Sequence, residues 1–554
     1  MKRSKLKKIF AIVLIATMGI SVLAGCGGSK SASSDKKDDQ VLTYNLGADS
    51  KTLDPALNTS SDGGIVLANT FEGLCRLDKD NKAIPGGAEK WEITDDGLQY
   101  TFHLRKDAKW SNGEPVTAND YEFAWKRALN PKTGAEYAYQ LYYIKNGHEY
   151  NTDKDGKISP DTLGIKALDD YTLQVTLESP TKYFLELTGF ATYYPVNKKI
   201  VENNPEWSTK VETFISNGPF KMSEWKIKDS LTFIKNENYY DKGRVKLDKL
   251  VMSMVTDSTS AWAGYQSGQF DMVDVVPTPE IQGALKSNLA TKFQNTATYF
   301  YSINVSDKAK EVSPDAAKAL SDAKVRKALN LAINRKDIVE NVTKGEQIPA
   351  FGYVPVGMLK QDGKDFTDKE YFKAEGDVEG AKKLLSEAGY TDGKGFPTLV
   401  LMYNTEGAHK DVAQAVQNMW KENLGINVEL QNQEWKVFQT TRTNKNYLIA
   451  RHGWTGDYND PMTFLDMWTT TSGLNDCGFS NPEYDKLVAD AKKEIDVVKR
   501  EKLMRQAEDV LLDQMPILPL YYYTQIKGIK SYVKGVRVAA LGNIYFDEAY
   551  IEGK

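Results

Sequence analysis

The sequence predicts an α/β protein built from several domains, and three observations carry that reading. The chain has 554 residues, and at about 100–200 residues per domain this calls for roughly three or four. Its composition, 41% hydrophobic and 26% charged, is ordinary for a globular protein and fits neither disorder nor a polytopic membrane protein. Segments alternating with period two are interspersed with segments of the 3.6-residue helical period, with no internal repeat.

The chain opens with Lys2, Arg3, Lys5, Lys7 and Lys8, followed by an almost wholly apolar run from Ile9 to Ala24. A basic start and a short apolar stretch form a secretory signal. The run is shorter than the about 20 residues a membrane-spanning helix needs. It ends in Leu23-Ala24-Gly25-Cys26, which resembles the lipobox of bacterial lipoproteins. That resemblance implies cleavage after residue 25, a diacylglyceryl thioether on Cys26, and at least two lipid chains, enough for stable anchoring. Cleavage removes five positive charges and turns a net of −4 into 66 basic against 75 acidic residues. Residues 26–40 are small, charged and without apolar periodicity, as a flexible tether is.

From Val41 the elements follow in order. Val41 to Gly47 and Tyr171 to Glu178 alternate as half-buried strands do. Leu53-Asp54-Pro55 opens a turn-rich stretch to about Gly64. Gly97 to Val116 reads as a strand and then a turn at Asn112-Gly113. Ala118 to Leu129 is a helix with Phe123, Ala124 and Ala128 on one side. Ser321 or Asp322 caps a helix carrying Val325, Leu329, Ala332 and Ile333. Val378 to Ala388 is stopped by Gly389, and Ala408 to Leu424 by Gly425. Ile426, Val428 and Leu430 alternate as a strand, and a further helix starts near Glu434. Residues 301–520 therefore hold the βαβ material of an α/β lobe.

Several chemistries are excluded or demoted. The charge balance offers no basic field for nucleic acid. Four histidines (His103, His148, His409, His452) and three cysteines leave little for a structural zinc site or a disulfide scaffold. Cys75 and Cys477 sit in separate apolar or turn contexts and read as buried free thiols. There is no phosphate-binding Gly-rich loop, no Gly-x-Ser-x-Gly and no His-Glu-x-x-His, so the reading is of a protein that is not an enzyme. Asn151 to Ile158 has the oxygen spacing of a calcium loop, but the twelfth position is Thr162 where a bidentate Glu is needed. An Asp-Gly surface turn is the better reading, and no metal or cofactor is expected. Aromatic residues make up 11% of the chain.

The richest stretch lies between His409 and Phe479. Trp435, Phe438 and Arg442 fall at i, i+3 and i+7, one face of a helix. A guanidinium beside aromatic rings suits a two-pronged grip on a carboxylate, though the same spacing also fits core packing with a rim charge. In Arg451-His452-Gly453-Trp454-Thr455-Gly456-Asp457-Tyr458-Asn459-Asp460-Pro461 the glycines break regular structure and present Trp454 and Asp457 from a loop. Asp457 there suits a buried ammonium, or is a solvated acidic turn.

At this point the sequence resembles the oligopeptide-binding proteins of bacterial ABC importers, in the large solute-binding class that also holds dipeptide and nickel binders. The segments that carry the resemblance include LDP (Leu53 to Pro55), FEGL (Phe71 to Leu74), SNGPFKM (Ser216 to Met222), VRKALNLAINR (Val325 to Arg335), NQEWKVFQTTR (Asn432 to Arg442) and WTGDYNDP (Trp454 to Pro461). The resemblance implies a two-lobed clamshell with an inserted domain: lobe I from 41–75, 212–300 and 522–554, an insert over 76–211, and a second lobe over 301–521. It implies an extended peptide held between the lobes and delivered to the permease and ATPase subunits of an importer. Its α-ammonium would meet Asp457, and its carboxylate Arg442, His409 or Arg451. Trp435 and Trp454 would wall the side-chain pockets, and Tyr458 would be among the peptide-binding residues. Thr59 to Ser61 and Asn475 to Phe479 would add backbone contacts. A lipid-anchored monomer on the outer face of the cytoplasmic membrane is implied as well. Ser302 and Thr59 stand where the best-known relatives have acids, and Cys477 lies inside a contact stretch. Another solute in the same fold (a dipeptide, a pheromone or a nickel chelate), or a chaperone-like or adhesive surface lipoprotein, remain the alternatives.

Overall fold

Strand β1 (Val41–Asn45) leads through a loop into helix α1 (Ser61–Thr70). The expected turn-rich stretch therefore ends at Ser60, and Gly63 and Gly64 lie inside the helix. A Cβ on Gly63 would fall 2.0 Å from Asn58 Oδ1, so only glycine lets the loop fold back on the first turn. The computed structural model describes residues 39–554 apart from residues 80, 359, 361–363 and 406. The signal over 1–25, Cys26 and nearly all of the tether lie outside the described residues. Among the described residues no helix is long and apolar enough to cross a membrane.

The segment 76–211 contains a four-stranded antiparallel sheet, in the order Ala88–Ile93, Gln99–Leu104, Thr172–Thr176, Ile165–Asp169. Gly113 takes φ 90° in the expected turn. The helix Ala118–Leu129 begins with a reciprocal capping box between Thr117 and Asp120. Its core side carries Tyr121, Ala124, Trp125 and Ala128, while Phe123, expected inside, is half-buried. Trp125 takes the inner place because its indole N–H finds the Tyr193 carbonyl at 2.7 Å. In the Asn151 to Ile158 turn, the Asp153 carboxylate accepts the N–H groups of Asp155 and Ile158.

Strand β2 (Ala290–Ile303) begins the part of the chain that builds the site. Asp322, not Ser321, caps the helix Ala323–Leu331, its carboxylate accepting from Lys324 N–H at 2.8 Å. Asp322→Ala is expected to lower stability by about 1 kcal/mol, read as a shift in the urea unfolding midpoint. Then come β3 (Leu399–Asn404), α2 (His409–Leu424) and β4 (Val428–Gln433), a βαβ unit with β3 and β4 parallel. Helix α2 buries Val412, Val416, Trp420 and Leu424, a stripe at helical spacing, and Gly425 ends it at φ 69°. Each aliphatic member contributes roughly 1.5–3 kcal/mol by burial. Glu434 caps α3 (Trp435–Thr443), accepting from the N–H groups of Lys436 and Val437. Strands β5 (Ile449–Thr455) and β6 (Ile517–Ile529) complete the set.

These strands join one eleven-stranded mixed sheet, in the order β4, β3, β5, β2, β6, Met272–Val273, β1, Lys249–Ser253, Ser230–Lys235, Phe220–Lys226, with Ile348–Pro349 paired to β6. Strand β2 lies antiparallel between β5 and β6. Tyr301 faces Arg451 across one ladder, and Tyr299 faces Tyr521 across the other. The β2–β6 ladder shifts register between Gln294 and Thr298 and again between Tyr299 and Phe300, bulges of the kind found beside binding sites. Cys75 and Cys477 are buried free thiols, each pushed up to about 12 by burial.

Candidate functional site

The ends of α1, α2 and α3 and the middle of the large sheet enclose a cavity of about 600 Å³, within the range of small-ligand sites. Thr59, Ser61, His409, Trp435, Arg442, Arg451 and Trp454, all expected at the site, line it. Trp435 opens α3, and its indole N–H donates to Asp62 Oδ1 in α1 at 3.2 Å, joining two distant parts of the chain. Trp454 is 6% exposed, and its N–H donates to the Thr463 carbonyl at 2.8 Å.

Arg451 projects from β5 into a group of tyrosines. Its Nη2 donates to Tyr523 Oη at 2.7 Å, and its guanidinium lies 5.3 Å from the Tyr299 ring. Tyr299 stacks on Tyr521 with centroids 4.6 Å apart. The period-two geometry of a strand puts Tyr521 and Tyr523 on one side of β6. Among the described residues Arg451 has no carboxylate partner. His409 is the first residue of α2, where the helix dipole favours an anion. Burial, with Arg451 beside it, pushes the His409 ring well below its ordinary range. It is therefore neutral at pH 7 and offers a hydrogen bond rather than a charge.

Arg442 is arranged differently. Its Nε lies 2.5 Å from Asp476 Oδ2, and His452 Nε2 lies 3.3 Å from the same oxygen. All three residues line the cavity.

Asp457, Tyr458 and Asn475 do not line it. Asp457 lies one step behind Trp454, partly exposed, where Tyr137 Oη and Gln140 Nε2 donate to its two oxygens at 3.0 and 2.9 Å. The Tyr137 ring itself sits 6.0 Å from Trp454. No cation pairs with Asp457 among the described residues. Burial, with Asp466 nearby, pushes its carboxyl well above the usual range, against the pull of the Tyr137 and Gln140 hydrogen bonds. Tyr458 is fully buried and stacks on Tyr183 at 4.7 Å. Asn475 spends its side chain on its own loop, donating to the Phe479, Trp468 and Thr469 carbonyls and accepting from Phe479 N–H. Sequence reasoning missed Tyr137, Gln140, Asp476 and the tyrosines of β2 and β6. Only the Tyr521-Tyr522-Tyr523 run gave a signal, an aromatic strand with two rings on one side.

Residues 82–476 match the family described as bacterial extracellular solute-binding proteins, family 5 Middle. The chain belongs to that family. It is 41% identical to the Oligopeptide-binding protein OppA of Bacillus subtilis, over 99% of this chain and all of that one. It is 33% identical to the Escherichia coli murein tripeptide binding protein MppA, with a TM-score of 0.85 over 93% of this chain and 99% of that one. Against the unliganded open form of MppA, also 33% identical and matched over 93% and 98% of the two chains, the TM-score is 0.62. The chain as a whole therefore superposes less well on that open form than on the other MppA structure. The family architecture is the two-lobed α/β fold expected from the sequence.

Proposed function

We propose that this family member captures short peptides in an extended conformation between its two lobes and hands them to an ABC importer. One observation carries the reading. Arg451 lines the cavity without an acid among the described residues, and Asp457, one step behind the Trp454 wall, has no cation partner among them. An unpaired guanidinium in a low-dielectric site is costly, and a peptide carboxylate relieves it, while a peptide ammonium would stabilise the ionised form of an Asp457 carboxyl that burial otherwise keeps protonated. The α-ammonium pairs with Asp457, and the carboxylate with Arg451, assisted by the neutral His409 ring. Trp435 and Trp454 wall the side-chain pockets, and main-chain hydrogen bonds give affinity that is tolerant of sequence. Thr59 and Ser61 border the peptide from α1. The names of the relatives, an oligopeptide binder and a murein tripeptide binder, support this chemistry.

The protein releases its ligand unchanged and is not an enzyme. It works as a monomer on the outer face of the membrane, held by lipid on Cys26. Cys26→Ser is expected to move it from the detergent phase to the aqueous phase in a temperature-induced detergent partition. Retention of the variant in the detergent phase would remove the anchor from Cys26. For the function itself, native mass spectrometry of the purified protein is expected to release intact short peptides of several lengths. A metal chelate or a single non-peptide solute instead would sink the reading.

A further inference from the structure

The charges lining the cavity are unequally spent. Lys527 pairs with Asp274, and Glu136 with Lys51. Arg442 pairs with Asp476, which is 5% exposed and reaches back from the loop after Trp468. His452 completes this group. His452 Nδ1 lies 2.8 Å from Gly453 N and 2.9 Å from Gly453 O, and its Nε2 faces Asp476 at 3.3 Å. Burial, with Arg442 beside it, pushes the His452 ring below its ordinary range. Burial opposes the Asp476 charge, but the His452 ring N–H and the Arg442 charge outweigh it and hold the carboxyl below the usual range. The group therefore lines the cavity with one positive charge, one negative charge and a neutral ring, a net of zero. Arg451, without an acidic partner among the described residues, stands apart from it.

We propose that Asp476 is a specificity-determining residue: by neutralising Arg442 it leaves Arg451 as the cation that recruits negative charge, so the site favours peptides whose one negative group is the terminal carboxylate and discriminates against acidic side chains. This deepens the peptide reading above and rests on it. An acidic side chain brought to this wall meets a guanidinium already held at 2.5 Å by a carboxylate, and beside it the Asp476 charge itself. Like charges placed together in a desolvated site select strongly against the wrong partner. A glutamine side chain meets no such penalty.

The test uses alanine tri-, tetra- and pentapeptides, each with Glu or Gln scanned through the internal positions, and calorimetric affinities. In the wild-type protein Gln is expected to bind at least as well as Glu at every internal position. A position at which Glu binds fivefold tighter overturns the proposal. This arm needs no variant. In Asp476→Asn, checked for folding by its thermal midpoint, Arg442 is released, and the Glu-to-Gln affinity ratio at one internal position is expected to rise by fivefold or more. A smaller change overturns the assignment. The double variant Arg442→Gln/Asp476→Asn replaces the ion pair by two amides, and its ratio is expected within fivefold of wild type. A rise in the double variant as large as in the single one would show that Arg442 is not the group released, and would also overturn it. If the wild-type protein binds none of the alanine peptides, the peptide reading fails, and the selectivity falls with it. Binding without the expected ratios removes only the role of Asp476.

Discussion

Asp457→Asn is expected to weaken the binding of short peptides by two to three orders of magnitude, measured by calorimetry with a peptide recovered from the wild-type protein. The substitution keeps the size of the side chain, removes the charge and turns one of its two acceptor oxygens into a donor NH2. The Gln140 amide can keep donating to the remaining oxygen, while the Tyr137 hydroxyl can turn to accept from the new NH2. What the proposed site loses is the counterion of the ligand's ammonium. Breaking a buried pair by removing one partner costs roughly 3–5 kcal/mol, and each 1.4 kcal/mol is a factor of ten. A change of less than threefold would remove Asp457 from the ammonium site. An N-acetylated version of the same peptide should bind Asp457→Asn and wild type about equally, because neither then forms the pair.

The raised carboxyl of Asp457 gives this interaction a pH signature. In the empty protein burial favours the protonated form. The bound ammonium favours the carboxylate. Binding therefore releases a proton whenever the pH lies below the empty-state pKa, and affinity rises as the pH rises through that value. It falls again above about 8, where the α-amino group of the peptide loses its own proton. Asp457→Asn should flatten the acid limb and leave the alkaline one. An acid limb that persists unchanged in the variant would assign the titration elsewhere.

Arg451→Gln is the second large effect, a loss of roughly thirtyfold to a few thousandfold, since truncating one partner of a buried charged pair costs about 2–5 kcal/mol. C-terminal amidation of the peptide should cost wild type a similar factor and the variant little, which a double-mutant cycle reads directly. The tyrosines around Arg451 strengthen this expectation. Tyr523 fixes one guanidinium nitrogen and Tyr299 covers the group, so the cation is oriented before ligand arrives and pays little entropy on binding. Equal losses on amidation in wild type and variant would place the carboxylate on another residue.

Much of this arrangement was legible in the sequence because it is local. The helix ending at Gly425, the helix start near Glu434 and the shared face of Trp435, Phe438 and Arg442 depend on residues within a few turns of each other. So does the loop that presents Asp457. The partners were not legible, because they arrive from far along the chain. Tyr137 and Gln140 reach Asp457 across more than 300 residues, and no periodicity announces which strand will pair with which. Asp476 gave the clearest such miss. The sequence shows an acid in a turn-forming loop, but only the folded chain sets it against Arg442 and cancels the charge that the helix pattern had promised to a ligand. Asn475 and Tyr458 show the same long-range dependence from the other side. Each lies in a segment that borders the site, yet internal hydrogen bonds and stacking use up the side chain.

Strands β2 and β6 carry one more implication. The lobe boundaries expected near residues 300 and 521 fall inside these two strands rather than in flexible loops. A β-bulge bends its strand and increases the local twist, and the register shifts of the β2–β6 ladder flank Thr298 and Tyr299. Tyr299 is also the ring that covers Arg451. The bulged ladder and the guanidinium proposed to hold the carboxylate thus share Tyr299, so any change of twist at these bulges would shift the ring that lies over Arg451.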